Sequence, residues 1–362
     1  MLALRSVQRR RILFSALALA NGLLCAGCSV PSRPAARTQL RSFDQFDRFE
    51  QTQQGQNFVL LSPRIPVLPW DELIVSWNAH CPVGTALRVE ARAFDGERAT
   101  RFYTLAGWSA EPGPGRTSLP NEKDANAAVD TDTLKCRRPM NAAQVRITLS
   151  GSGDARPRLK SLTLSFLDSN TPPLVLPANR AAWGKILDVP QRSQLGHAGA
   201  SGWCSPTSVS MILGYWSQRL HRPELDVPVP EVARGVYDIA YRGTGNWIFN
   251  TAYAGSFEGM QACATRFDSF RRVEDCIAAG IPVALSVSFD LLNGKEEDQN
   301  NGHLIVVVGF TENGDVVVND PWPDPNGENR VRKVFPRGRV MNAWQRSKQT
   351  VYLVHPQGMR VP

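Results

Sequence analysis

The chain has 362 residues, 42% hydrophobic and 20% charged, which fits a folded chain of about two domains and excludes a disordered or fibrous one. No stretch reaches the roughly 20 consecutive apolar residues of a stable membrane-spanning helix. The formal net charge of +8 is no footprint of nucleic-acid binding, because Arg5, Arg9, Arg10 and Arg11 crowd the extreme N-terminus and no Lys/Arg-dense stripe follows.

Residues 1–28 read as an export signal. The four arginines form a basic start, residues 12–24 (ILFSALALANGLL) form a short apolar run, and small residues close it. Ala26-Gly27-Cys28 resembles a lipobox, whose cysteine would carry the lipid that anchors the chain to the membrane, although Cys25 stands where leucine is usual. A plain signal peptide is the alternative, and the RRRIL run also resembles a twin-arginine signal. Residues 29–45 are polar and rich in Pro, Arg and Gln, as expected of a tether. The expected location is the bacterial cell envelope, on the periplasmic side.

Residues 46–169 alternate. ELIVSWNA, LRVEARAF, RFYTLAGW, AQVRITLSG and SLTLSFL place apolar side chains at every second position, between segments rich in Gly, Pro, Asp and Asn. Alternation marks half-buried strands, and several in series predict an antiparallel β-sandwich. Val145, Ile147 and Leu149 would share one face, as would Leu162, Leu164 and Phe166. Trp70, Trp77, Tyr103 and Trp108 suit either the core or a platform for sugars. In an exported protein Cys81 and Cys136 could form a disulfide. Residues 170–180 (NTPPLVLPANR) break the pattern and read as a linker.

Residues 181–362 change texture. Helices are expected at 206–218, 230–241 and 273–279, and strands at IPVALSVSF, HLIVVVGF, DVVVND and QTVYLVH, which together predict an α+β domain. Cys263 and Cys276 could pair or be two buried thiols. Cys204 is then the odd cysteine, in SGWCSPTSVSMILGYW.

Val209, Ile212, Leu213 and Trp216 recur at helical spacing, so a helix should begin at or just after Cys204, with Pro206 in its first turn. A thiol at a helix N-terminus faces unpaired N–H groups and the positive end of the dipole, which favour the nucleophilic thiolate. His303 opens an apolar strand and could take the thiol proton. Asn313-Gly314 is a hairpin signal that would lay DVVVND beside that strand, letting Asp320 orient His303. Gln194, ten residues before the cysteine, could join the Cys204 backbone N–H in stabilising an oxyanion. Each residue alone has a bland reading: a buried thiol, a structural histidine, a turn aspartate. Four in this order point to acyl chemistry. His197 is a rival base by sequence proximity, though a loop histidine is the commoner reading. No Cys/His spacing of a zinc site, Walker loop or dinucleotide fingerprint occurs, so no cofactor or metal is expected.

The pattern DVPQRSQ, WCSPTSVSMIL, NGHLIVVVGF, VVVNDP resembles the papain-like clan of cysteine peptidases. It is most similar to family thirty-nine, the bacteriocin-processing group, in its stand-alone branch without a transporter. The resemblance covers about residues 185–355. It implies a papain-like α+β fold, with Cys204 as nucleophile, His303 as base, Asp320 as its orienting partner and Gln194 on the oxyanion glutamine. Family members usually carry Cys-Gly-Pro where this chain has Cys204-Ser205-Pro206. In the stand-alone branch a stretch such as residues 243–255 (GTGNWIFNTAYAG) resembles a cleft-lining loop, which puts Asn246 and Trp247 on the substrate side; a packed loop is the alternative. The function implied is cleavage of a peptide or amide bond through a thioester, on a peptide or peptidoglycan-type substrate. A catalytically inactive papain-like scaffold and an acyl transferase on the same triad are the alternatives.

Overall fold

The computed structural model describes residues 37–362 except 114, 120–121, 152–154 and 324–329. The expected export signal and the Cys28 anchor lie outside these residues.

Eleven strands make up the first half: β1 (Thr38–Phe43), β2 (Glu50–Gln54), β3 (Asn57–Leu61), β4 (Ile65–His80), β5 (Ala86–Asp95), β6 (Arg98–Ala99), β7 (Tyr103–Trp108), β8 (Thr117–Ser118), β9 (Ala127–Asp130), β10 (Thr133–Ser150) and β11 (Arg158–Leu167). They run antiparallel along the path β1-β11-β4-β10-β5-β7-β8, with β3 and β9 also on β10, β2 on β3 and β6 on β5. β10 begins beside β9 and β4 and ends between β3 and β5, and its register against β4 slips between Lys135 and Met140 and again before Ala142. Such slips bend a strand and let it turn the corner between two faces. Trp70, Trp77, Tyr103 and Trp108 are all at most 2% exposed, so these rings are core.

Two expectations fail here. Residues 38–43, within the span expected to be a tether, form the edge strand β1, paired from Thr38↔Leu167 to Phe43↔Leu162. In this edge strand Leu40, Arg41 and Ser42 are exposed and the other three are half-buried, so TQLRSF carries no alternation to read and passes for linker. All five cysteines among the described residues are free. Lys135 pairs with Glu72, so Cys136 lies opposite the middle of β4, whereas Cys81 follows its end. Nine or ten strand residues span about 30 Å, against the ~5.5 Å between Cα atoms that a disulfide needs.

The second half holds α1 (Cys204–Leu220), α2 (Val229–Val236), α3 (Trp247–Ser256), β12 (Met260–Arg266), α4 (Arg271–Ala278), β13 (Val283–Ser288), α5 (Phe289–Leu292), β14 (Gly302–Phe310), β15 (Val316–Asn319), β16 (Arg332–Phe335), α6 (Arg337–Trp344) and β17 (Thr350–Pro356). The strands form one antiparallel sheet, ordered β12-β17-β13-β14-β15-β16. α2 stops at Val236, short of the expected 241, so residues 237–246 are free to line a cleft. Cys263 on β12 and Cys276 on α4 cannot pair, because α4 packs on β13 and β14, at least two strands away from β12.

The halves are not beads on a string. Every residue of β4 from Leu73 to Ala79 is buried, including the polar positions of its alternation. Those polar side chains meet the free edge of β12. Asn78 Nδ2 donates to Ala262 O and Asn78 Oδ1 accepts from Ala262 N, both at 2.9 Å, while Ser76 Oγ accepts from Ala264 N at 3.0 Å. An open sheet edge is thereby closed by side chains in place of a strand. α3 lies against β4 so closely that a Cβ on Gly255 would fall 2.1 Å from Asn78 Nδ2. Both ends of α3 are met by charges from the first half. Asp132 Oδ2 accepts from Trp247 N at 3.0 Å, and Lys160 Nζ donates to the Gly255 and Phe257 carbonyls at 3.1 and 2.6 Å. An anion at the N-terminus and a cation at the C-terminus both match the helix dipole.

Candidate active site

Cys204 is the first residue of α1, and Trp203 before it supplies no side-chain cap. No side-chain oxygen therefore claims the N–H groups that open the helix. His303 is the second residue of β14. The chain leaves that strand at Phe310, turns over residues 311–315 with Gly314 at φ +85°, and returns antiparallel as β15. Asp320 follows directly, so the hairpin sets it diagonally across from His303.

His303 Nε2 meets Asp320 Oδ1 at 2.7 Å. Asp320 is fully buried, and its carboxylate also accepts from Trp322 N at 2.9 Å and from Lys333 Nζ on β16 at 2.7 Å. Burial alone would raise its pKa, but His303 and Lys333 outweigh that and hold it below the usual carboxylate range. For His303, burial opposes the charged ring, yet interactions with Asp320 and then Cys204 lift it to about 9. With Nε2 engaged by Asp320, Nδ1 is the nitrogen left for the thiol. Phe289 stands edge-on to the His303 ring at 5.2 Å and Trp322 lies 6.5 Å from Phe289, so apolar rings screen the pair from water.

Gln194 is 1% exposed and lines the same cavity. Its backbone N–H donates to Pro321 O at 2.9 Å, and its Nε2 donates to the carbonyls of Ala200 and Ser201, each at 3.0 Å. In this state the amide braces the loop that leads into Cys204. Trp247 lines the cavity, whereas Asn246 does not. Asn246, expected on the substrate side, is fully buried at the N-cap of α3. Its Oδ1 accepts from Ile248 N and Phe249 N and its Nδ2 donates to Asp238. Asparagine just before a helical run is a preferred cap, and capping turns the side chain back onto the helix. His197 stacks on Trp203 at 5.9 Å, outside the lining of the cavity.

The cavity holds about 1230 Å³ and has walls from both halves. Glu72 and residues 130–133 face it from the first half; Cys204, Tyr241, Trp247 and His303 face it from the second. Two contacts around the site are not legible in the sequence. Lys333 became visible only through the β15–β16 register, Val318↔Lys333. Ser205, which stands where glycine is usual, places its Oγ 2.8 Å from the hydroxyl of Tyr352, and both residues are fully buried. The Cys-Ser-Pro triplet was the available signal, but its partner lies 147 residues away.

Residues 186–352 match the Peptidase C39 like family, and residues 35–166 match the Peptidase C39 N-terminal domain. No curated protein matches. Among solved structures, a candidate C39-like peptidase from Bacillus anthracis is 18% identical over 49% of this chain and 99% of its own, with a TM-score of 0.36. Structures of infectious bursal disease virus, Gt and Gx strains, are 15% and 11% identical over 38% of this chain and 34% and 35% of theirs, each with a TM-score of 0.22. Likeness at these TM-scores carries no functional weight.

Proposed function

We propose that this chain, whose residues 186–352 belong to the peptidase C39-like family behind a peptidase C39 N-terminal domain at residues 35–166, is an exported cysteine peptidase-like hydrolase with a papain-like α+β second half. The observation that carries the reading is His303, bonded to Asp320 on one side and acting on Cys204 on the other, inside a cleft large enough for a peptide.

The steps follow from the positions. His303 takes the Cys204 proton and becomes an imidazolium, which Asp320 stabilises. The thiolate attacks the amide carbonyl, and N–H groups at the start of α1 face the oxygen that gains charge. As the tetrahedral intermediate collapses, the C–N bond breaks, the imidazolium gives its proton to the leaving amine, and a thioester remains on Cys204. His303 then takes a proton from water, whose oxygen attacks the thioester. Collapse releases the acid and returns the proton to sulfur. Gln194 joins the oxyanion donors once its amide turns from the Ala200 and Ser201 carbonyls.

Export and a lipid on Cys28 complete the reading, placing the enzyme at the cell envelope on peptide or peptidoglycan-type substrates. The support is the signal-like sequence of residues 1–28. Lipid labelling that Cys28→Ser abolishes is the expected result; equal labelling of both chains removes the anchor.

The central test is alkylation of the purified chain across pH 4 to 9, read by peptide mapping. Fast single labelling at Cys204 near pH 6, slowed in His303→Ala, is expected, together with amide hydrolysis that Cys204→Ala abolishes. An inert Cys204 would sink the proposal.

A further inference from the structure

Tyr237, Ile239 and Tyr241 are 39, 41 and 51% exposed. Tyr237 and Tyr241 line the cavity that holds Cys204, and Tyr241 lies within electrostatic reach of both Cys204 and Asp132. Apolar surface left open inside a concave site is a signature of ligand contact.

The Tyr241 ring has a prepared seat. A Cβ on Gly243 would come 3.1 Å from Tyr241 Cε1, and one on Gly245 would come 3.2 Å from the Tyr241 hydroxyl. Two glycines leave room for the ring to lie across its own loop. The loop is also tied down. Asp238, fully buried, accepts from Ala240 N at 3.1 Å, Tyr241 N at 3.3 Å and Asn246 Nδ2 at 2.8 Å.

The remaining ties come from the first half of the chain. Ser118 N of β8 donates to Asp238 Oδ1 at 3.0 Å. Ile239 N donates to Arg116 O at 3.4 Å. The Arg116 side chain is itself fully buried and donates to Arg234 O of α2 at 2.9 Å. Asp132, at the β9–β10 turn, holds Trp247 N where the loop becomes α3. Thr131 beside it sits at φ +54°, a conformation that a β-branched residue rarely adopts unless its surroundings impose it.

We propose that the N-terminal half is the specificity element of the cleft: it sets the wall of residues 237–247, whose Tyr241 ring selects peptides with a large apolar side chain beside the scissile amide. The inference rests on the hydrolase reading given above. Asp132 is here a positioning residue and Tyr241 a binding one.

The test measures binding on the full mature chain carrying Cys204→Ala, by titration calorimetry. The probes are penta-alanine capped at both ends and its five single-phenylalanine versions. The best phenylalanine peptide should bind about 10-fold more tightly than penta-alanine. Tyr241→Ala should bring that ratio near one, and Tyr241→Phe should keep it. Asp132→Ala should cut the ratio about three-fold or more, and Asp132→Asn, which can still accept from Trp247 N, should restore it. A ratio near one in the parent chain, or no binding at all, overturns the proposal. A ratio lost in Tyr241→Ala but untouched by Asp132→Ala overturns the role of the N-terminal half. Failure of the hydrolase reading looks different: selective binding with no cleavage by the wild-type chain leaves the wall and removes the enzyme. Cleavage without phenylalanine preference does the reverse.

Discussion

His303 Nε2 and Asp320 Oδ1 are 2.7 Å apart, and neither side chain is more than 6% exposed. A charged bond that is dry on both sides fixes the ring's orientation and tautomer together. Asp320→Asn keeps the shape but presents an amide whose donor can reverse that tautomer. It should lower kcat/KM roughly 100-fold or more while leaving Cys204 present and countable. Steady-state kinetics beside thiol titration decides it; a loss under about three-fold would mean that Asp320 is not the orienting group.

The imidazolium of His303 should limit activity on the alkaline side. Its folded pKa of about 9 lies above the ordinary value of 6.5. The stability it contributes is therefore fully present below pH 6.5 and lost as pH rises through about 9. The same proton is needed by the leaving amine. Hydrolysis should fall through about pH 9, whereas alkylation of Cys204, which needs no proton donor, should not fall with it. Paired pH profiles of the two rates check this, and parallel profiles would count against His303 as the acid.

Ser205 and Tyr352 should behave as one unit. Removing either hydroxyl leaves the other buried with no partner, a loss of about 1–3 kcal/mol, whereas removing both leaves none unpaired. Ser205→Gly and Tyr352→Phe should each lower stability, and the double variant should lose less than their sum. Denaturant unfolding of the four chains gives the coupling. Strict additivity would show that the 2.8 Å contact contributes nothing.

Thiol counting separates the site from the core. Burial pushes Cys81, Cys136, Cys263 and Cys276 each up to about 12, so at neutral pH they stay protonated, and all but the half-buried Cys136 are shielded as well. Among the five described cysteines, the folded chain should take one alkyl group, at Cys204, and five after unfolding without reductant. Fewer than five would reveal a disulfide between two of them.

Much of the site was legible as local chemistry. Cys204 ahead of a helical apolar pattern, His303 at the head of a strand, and a hairpin that returns Asp320 beside it all depend on neighbours within about 20 residues. Asn246 was misjudged for the same reason, since a cap and a cleft residue look alike until the side chain has a direction. Lys333, Tyr352 and Asp132 were out of reach, because each meets the site through strand register or across the two halves.

The alternation in β4 and β11 determined by itself that these segments are strands and which face is apolar. It could not say what covers the other face. Period-two patterning reports polarity, and a serine or asparagine is equally polar beside water or beside a backbone edge. Only the tertiary structure decided that Ser76 and Asn78 close the edge of β12, and that Asp132 at the β9–β10 turn caps α3. Hydrogen bonds between groups more than a hundred residues apart leave no period in a sequence. Here those bonds join the N-terminal half to the cavity that Cys204 and His303 line.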